Sequence, residues 1–145
     1  MPSEKVNEAT RAEWRELGFF YDRDDAEKRW RLVGSKTGLG RFANALSEFA
    51  SDPRNAQKSE HVHFGPYMYL EIGSWPEPEI TEHWIAGPLS ALNRLSAEIR
   101  TRLTMANENE VLELRQSFSP KSPYELSLEV RGEQFDPARE DSECW

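Results

Sequence analysis

The sequence predicts an α+β fold, a two-layer sandwich of order ββα-ββα-ββ, with a mainly antiparallel sheet and two helices on one of its faces. Three observations predict it. Stretches of period-two alternation come in pairs separated by short polar turns, which marks hairpins. Two longer stretches carry apolar residues at spacings of three and four, which marks helices with one buried stripe. Finally, Trp30–Ala50 has a degenerate copy 53 residues later at His83–Ile99. Gly34 aligns with Gly87, Leu39 with Leu92, Arg41 with Arg94, Phe42 with Leu95 and Leu46 with Ile99. The pseudo-repeat spans 16–52 and 67–106 within a single domain, 1–145.

The elements follow in order. Residues 1–12 are polar and read as a flexible tail, with a helical turn or two over Glu8–Glu16. Leu17, Phe19 and Tyr21 alternate in a first strand, Asp22–Lys28 is a turn by composition, and Arg29–Val33 is the second strand. Ser35 can cap a helix through its hydroxyl. The stripe Leu39, Phe42, Ala43, Leu46, Phe49 and Ala50 then runs to Asp52-Pro53, where proline stops it. Arg54–Glu60 is a polar loop. Tyr67–Ile72 and Ile80–Ala86 form the second hairpin around the turn Gly73–Glu79. Gly87-Pro88 opens the second helix, because proline suits the first helical position. Its stripe is Leu92, Leu95, Ile99, Leu103 and Ala106. Val111–Phe118 and Tyr124–Arg131 form a last hairpin with a polar, wet face, and 132–145 is a second flexible tail. The expected core is Leu39, Phe42, Leu46, Leu92, Leu95, Ile99, Leu112, Leu114, Leu126 and Leu128.

Composition bounds the function. A chain of 145 residues can bury one sizeable core without staples. The net charge of -8, from 26 acidic and 18 basic residues, disfavours a nucleic-acid partner and suits a basic protein partner. The one cysteine, Cys144, permits no internal disulfide, so a cytoplasmic, reducing location is expected. The sequence has neither a run of about 20 apolar residues for a membrane span nor a signal-peptide core. No membrane partner is expected.

Three stretches could carry chemistry. All three histidines lie in the second unit: His61 and His63 two apart, and His83 beside Glu82. In extended backbone His61 and His63 share a face, and His83 or Glu82 could complete a metal site for a small metal-dependent enzyme. The alternative to that site is the expected one, no metal and no cofactor, with His83 packed on the core as the counterpart of Trp30. The corner GSKTGLG, 34–40, could hold an anion on free helix amides, but it lacks the P-loop order and reads better as a tight turn. Cys144 has no histidine near it in sequence, so no nucleophile stands out and no catalytic residue is assigned. The third stretch is aromatic. Tyr67, Tyr69 and Trp84 alternate away from the apolar positions, Glu71 and Glu82 lie beside them, and Trp75 sits in the turn. Tyr and Trp anchor protein interfaces, so these six residues form the expected protein-binding surface.

The run GSKTGLGRFANALSEFA followed by HVHFGP resembles the small α+β immunity proteins of bacterial polymorphic-toxin systems, over about Arg29–Ile72. That resemblance implies a cytoplasmic, non-enzymatic protein that neutralises a cognate toxin by direct binding, and it carries over no binding residue. A structural subunit of a homo-oligomer is the remaining reading.

Overall fold

Ser3 starts the first helix. Its hydroxyl accepts from the amide of Val6 at 3.2 Å, and α1 runs from Glu4 to Leu17. Gly18, at a φ of 96°, ends it by donating its amide to the carbonyl of Trp14. The computed structural model describes residues 3–57 and 59–145. Met1 and Pro2 of the expected tail and Lys58 of the expected loop lie outside them. Within the described part of the expected tail, Glu4–Ala12 belongs to a helix, and the first strand starts later than its alternation suggests.

Among the described residues eight strands form two four-stranded sheets. In the first, β1 (Phe20–Asp24) and β2 (Arg29–Ser35) make an antiparallel hairpin. β7 (Val111–Glu113) and β8 (Glu125–Arg131) make another, and β2 pairs parallel with β8 to give the order β1-β2-β8-β7. In the second, β3 (His61–Phe64) and β4 (Leu70–Ser74) pair antiparallel, as do β5 (Glu79–Ile80) and β6 (Ile85–Gly87). β4 and β6 run parallel, giving β3-β4-β6-β5, so Tyr67–Ile72 and Ile80–Ala86 are not the hairpin expected of them. Each sheet thus joins two hairpins through a parallel central pair.

The fold is α+β, as expected, but the single, mainly antiparallel sheet is corrected to two mixed sheets. The reason is physical. Alternation reports which face of a strand is buried and is silent on which strand lies beside it. The first and last hairpins meet in one sheet, a pairing with no local signature.

α2 (Lys36–Ser51) follows β2, with Ser35 as its cap, and α3 (Leu89–Met105) follows β6. The cap is the expected one: the Ser35 hydroxyl accepts from Gly38 at 3.0 Å. The two helices pack together, and the Ser96 hydroxyl donates to the carbonyl of Ala43 at 2.6 Å across their contact. A β-carbon on Gly38 would lie 2.0 Å from the Gly18 carbonyl, so close packing of α1's end on α2's start accounts for this glycine without an anion. All ten expected core residues are buried and belong to one cluster.

Two further segments depart from expectation. Val111–Phe118 is not one strand: β7 stops at Glu113, and a short α4 (Arg115–Phe118) follows. Glu125, expected on a wet face, is buried; its carboxylate accepts from the amides of Leu114 at 3.1 Å and Arg115 at 2.7 Å, turning the chain there. Ser127 is fully buried too: β8 is a central strand, and the Arg29 side chain of the neighbouring β2 donates to the Ser127 hydroxyl.

Residues 132–145, expected as a flexible tail, lie against α1. The indole of the buried Trp14 donates to Asp141 at 2.9 Å, and Arg15 makes a two-pronged contact with Asp136 at 3.1 and 3.0 Å. Arg11 donates to the carbonyl of Cys144 and stacks on Trp145, 4.5 Å from its ring centre. Cys144, expected in a mobile tail, is buried.

Leu46 is fully buried between these layers. Leu46→Ala is expected to destabilise the fold by about 2–5 kcal/mol, through lost transfer energy and the cavity left behind. A shift of the chemical denaturation midpoint measures it; an unchanged midpoint contradicts the assigned helix face.

Candidate functional site

The site is built on the loop between β3 and β4. Gly65, at a φ of 83°, turns the chain away from β3, and a β-carbon there would come within 2.5 Å of the Tyr21 ring. Met68 is also left-handed, at a φ of 59°. The strand expected from Tyr67 therefore begins only at Leu70, and Met68, expected to face the core, is exposed. One hydroxyl pins this loop. Tyr21 is buried in β1, and its phenol donates to the carbonyl of Phe64 and accepts from the amide of Tyr69 at 3.2 Å. Both ends of the loop are thereby tied to the first sheet.

The loop holds three consecutive large apolar residues at the surface: Tyr67 at 38% exposure, Met68 at 58% and Tyr69 at 67%. The Tyr67 ring meets Trp14 edge-on at 6.1 Å and lies 6.0 Å from the ring of Tyr69. Beneath them opens a cavity of about 510 Å³ with walls formed by Trp14, Phe20, Tyr21, Trp30, Tyr67 and Tyr69. Asp22, Asp141 and Glu143 also line it, against one cation, Arg23. Arg23 is engaged elsewhere, by Asp25 at 2.7 Å and the carbonyl of Glu82 at 2.8 Å.

The carboxylates differ in their partners. Asp141 accepts from the Trp14 indole at 2.9 Å and from the Tyr67 phenol at 2.6 Å. Asp22 pairs through Oδ2 with Arg31 at 2.8 Å, while its Oδ1 is buried with no hydrogen-bond partner among the described residues. Burial pushes the Asp22 carboxyl up despite the guanidinium of Arg31. Burial also raises the Tyr67 phenol, and the hydrogen bond to Asp141 adds to the effect because it needs the phenol's proton.

The other expected binding residues are placed differently. Trp75 and Trp84 are half-buried and meet at 5.5 Å, with the Trp84 ring over Gly73 and its indole donating to Glu79 at 2.7 Å. They pack on each other, Trp84 on Gly73 of β4 as well, and line no part of the cavity. Glu82 is exposed and lies 3.4 Å from His83, which is itself exposed rather than packed on the core. Glu71 faces His63 across the β3–β4 ladder, with 3.2 Å between its Oε1 and Nδ1. His61, His63 and Glu71 offer ligand atoms within 4.8 Å of one another; His83 and Glu82 are not in this group.

Sequence reasoning found the exposed tyrosines but missed the cavity. Trp14 and Tyr21, Tyr67, and Asp141 are brought together from three separate stretches, and no local pattern announces that meeting.

Fold and site together define an α+β protein of two mixed sheets with an acid-lined aromatic cavity under an exposed loop. No family model, curated protein or solved structure matches the chain. None of the helices among the described residues is long and apolar enough to cross a membrane.

The raised phenol gives a pH test. A tyrosine raised in the folded state contributes its full stability below the ordinary value of about 10 and loses it as pH climbs through the higher folded value. An ultraviolet titration is expected to show Tyr67 ionising later than free tyrosine. Asp141→Asn, which keeps an acceptor for Trp14 but removes the charge, is expected to move that titration part of the way down, since burial persists.

Proposed function

We propose that this is a non-enzymatic binding protein that docks a basic segment of a partner protein, in the manner of an immunity-type inhibitor of a toxin acting in the cytoplasm. The observation that carries the reading is the pinned loop. Three adjacent large apolar side chains stand exposed on a backbone tied down at both ends, beside an aromatic cavity lined by three carboxylates. Rigid aromatic bodies supply contact area at low entropic cost, and they gain most at a desolvated centre. The net charge of -8 steers a basic partner towards such a surface. The resemblance of about Arg29–Ile72 to immunity proteins supports the same reading.

The chain is further read as a doubled strand–strand–helix unit. The offset of 53 residues that relates Gly34 to Gly87 also relates Ala43 to Ser96, and these two touch where α2 crosses α3.

A toxin encoded beside this chain is the partner to test. Tyr69→Ala is expected to weaken the complex by about 2 kcal/mol or more, the scale of an anchor aromatic. The melting temperature is expected to stay within the small range of surface substitutions, because the ring is 67% exposed. The association rate is expected to fall as salt rises. Undiminished binding by Tyr69→Ala places the interface elsewhere.

A further inference from the structure

The three ligating side chains on the β3–β4 hairpin go beyond the binding surface. β3 is an edge strand, and its residues two apart share a face, so His61 and His63 project together. Glu71 lies opposite His63 in the ladder and projects to the same side. The two imidazole rings are 5.0 Å apart and nearly perpendicular.

Each imidazole is oriented by a backbone carbonyl. Nδ1 of His61 lies 2.9 Å from the carbonyl of Ser59, and Nδ1 of His63 lies 3.1 Å from the carbonyl of Met68. A carbonyl only accepts, so both Nδ1 atoms donate here, and Oε1 of Glu71, 3.2 Å from Nδ1 of His63, stands on that same side of the ring until it swings to an ion. A ring N–H donating to a carbonyl is the arrangement that metal-binding histidines use to hold their tautomer and direction. The carbonyls are themselves placed by unusual backbone. Ser59 has a φ of 73° and Met68 a φ of 59°, two of the four left-handed non-glycine residues among those described. One flanks β3 on each side, and each supports one histidine. Left-handed conformations cost free energy for residues with a β-carbon, so their coincidence with the two imidazoles calls for a role.

We infer that His61, His63 and Glu71 form a binding site for a divalent transition-metal ion of the zinc class, held by one ring nitrogen of each imidazole and by the Glu71 carboxylate. Two neutral imidazoles and one carboxylate suit zinc, nickel or copper and disfavour magnesium, which prefers oxygen ligands and its own water. Ligand atoms within 4.8 Å of one another must close to about 3.3–3.4 Å around a tetrahedral ion with bonds of about 2.0–2.1 Å. Rotation of the exposed His61 and the half-buried His63 and Glu71 side chains supplies that movement. Three protein ligands leave a fourth position for water or an atom of a partner.

The test uses the untagged full-length chain, stripped with a chelator and titrated with Zn2+ by calorimetry and by equilibrium dialysis. One ion per chain is expected. His63→Ala and Glu71→Gln are each expected to weaken binding at least tenfold, and His83→Ala, outside the group, to leave it unchanged. Because the ligands join β3 to β4, bound Zn2+ is also expected to raise the melting temperature as free zinc rises, while Mg2+ is not. Proton NMR of the wild-type imidazoles keeps the test independent of how the variants fold: His61 and His63 are expected to shift with zinc, and His83 is not. Zinc binding undiminished in the His61→Ala/His63→Ala double variant, or the absence of stoichiometric binding by the wild-type chain, overturns the assignment.

Discussion

The parallel pairing of β2 with β8 is the constraint on which the rest depends. It runs over seven residues, from Arg29 beside Glu125 to Ser35 beside Arg131. Because β8 thereby becomes a central strand, Ser127 and Glu125 are buried on the face that alternation marks as wet. The buried Glu125 carboxylate then takes the amides of Leu114 and Arg115, which ends β7 and turns the chain into α4. The pairing also delivers the end of β8 to the start of α2. There Thr37 donates to Glu133 at 2.7 Å, and the following residues are led onto α1.

That path makes the C-terminal segment part of the site. Asp141 receives both the Trp14 indole and the Tyr67 phenol, so one carboxylate ties the first helix, the exposed loop and the last residues together. A carboxylate with two neutral donors is well satisfied, and charge-assisted bonds of this kind are stronger than neutral ones. Asp22 is the contrast. One of its oxygens is engaged by Arg31, and the other is buried without a partner among the described residues. A buried acceptor left unmatched costs free energy, and Asp22 lines a cavity whose remaining walls are mainly aromatic. Such a lining favours a cation on an apolar stem, since aromatic faces attract cations and the carboxylates add charge.

The β3–β4 loop serves two neighbourhoods at once. Its side chains at 67 and 69 cover the cavity, while the carbonyl of Met68 between them orients His63. The left-handed turn at Met68 is compatible with both roles, because it directs the carbonyl towards the strand and leaves the Met68 side chain in solvent. The Tyr21 hydroxyl, fixed in the neighbouring sheet, holds this turn in place.

Much of this was legible in the sequence, and the reason is locality. Helix caps at Ser35, stops at Asp52-Pro53 and the apolar stripes depend on residues within a few positions of one another, so α2, α3 and all ten expected core residues follow from spacing alone. Tyr67 and Tyr69 are exposed as expected, but as part of a loop and together with Met68, not through the strand alternation that suggested it. Only the tertiary structure decided which strands are neighbours, that the two ends of the chain pack together, and that Glu71 rather than Glu82 or His83 stands by His61 and His63. Each of these rests on contacts between residues far apart in the chain. Period-two alternation tells a strand which way to face, but burial against a partner that arrives a hundred residues later is settled by packing, not by any pattern within the strand.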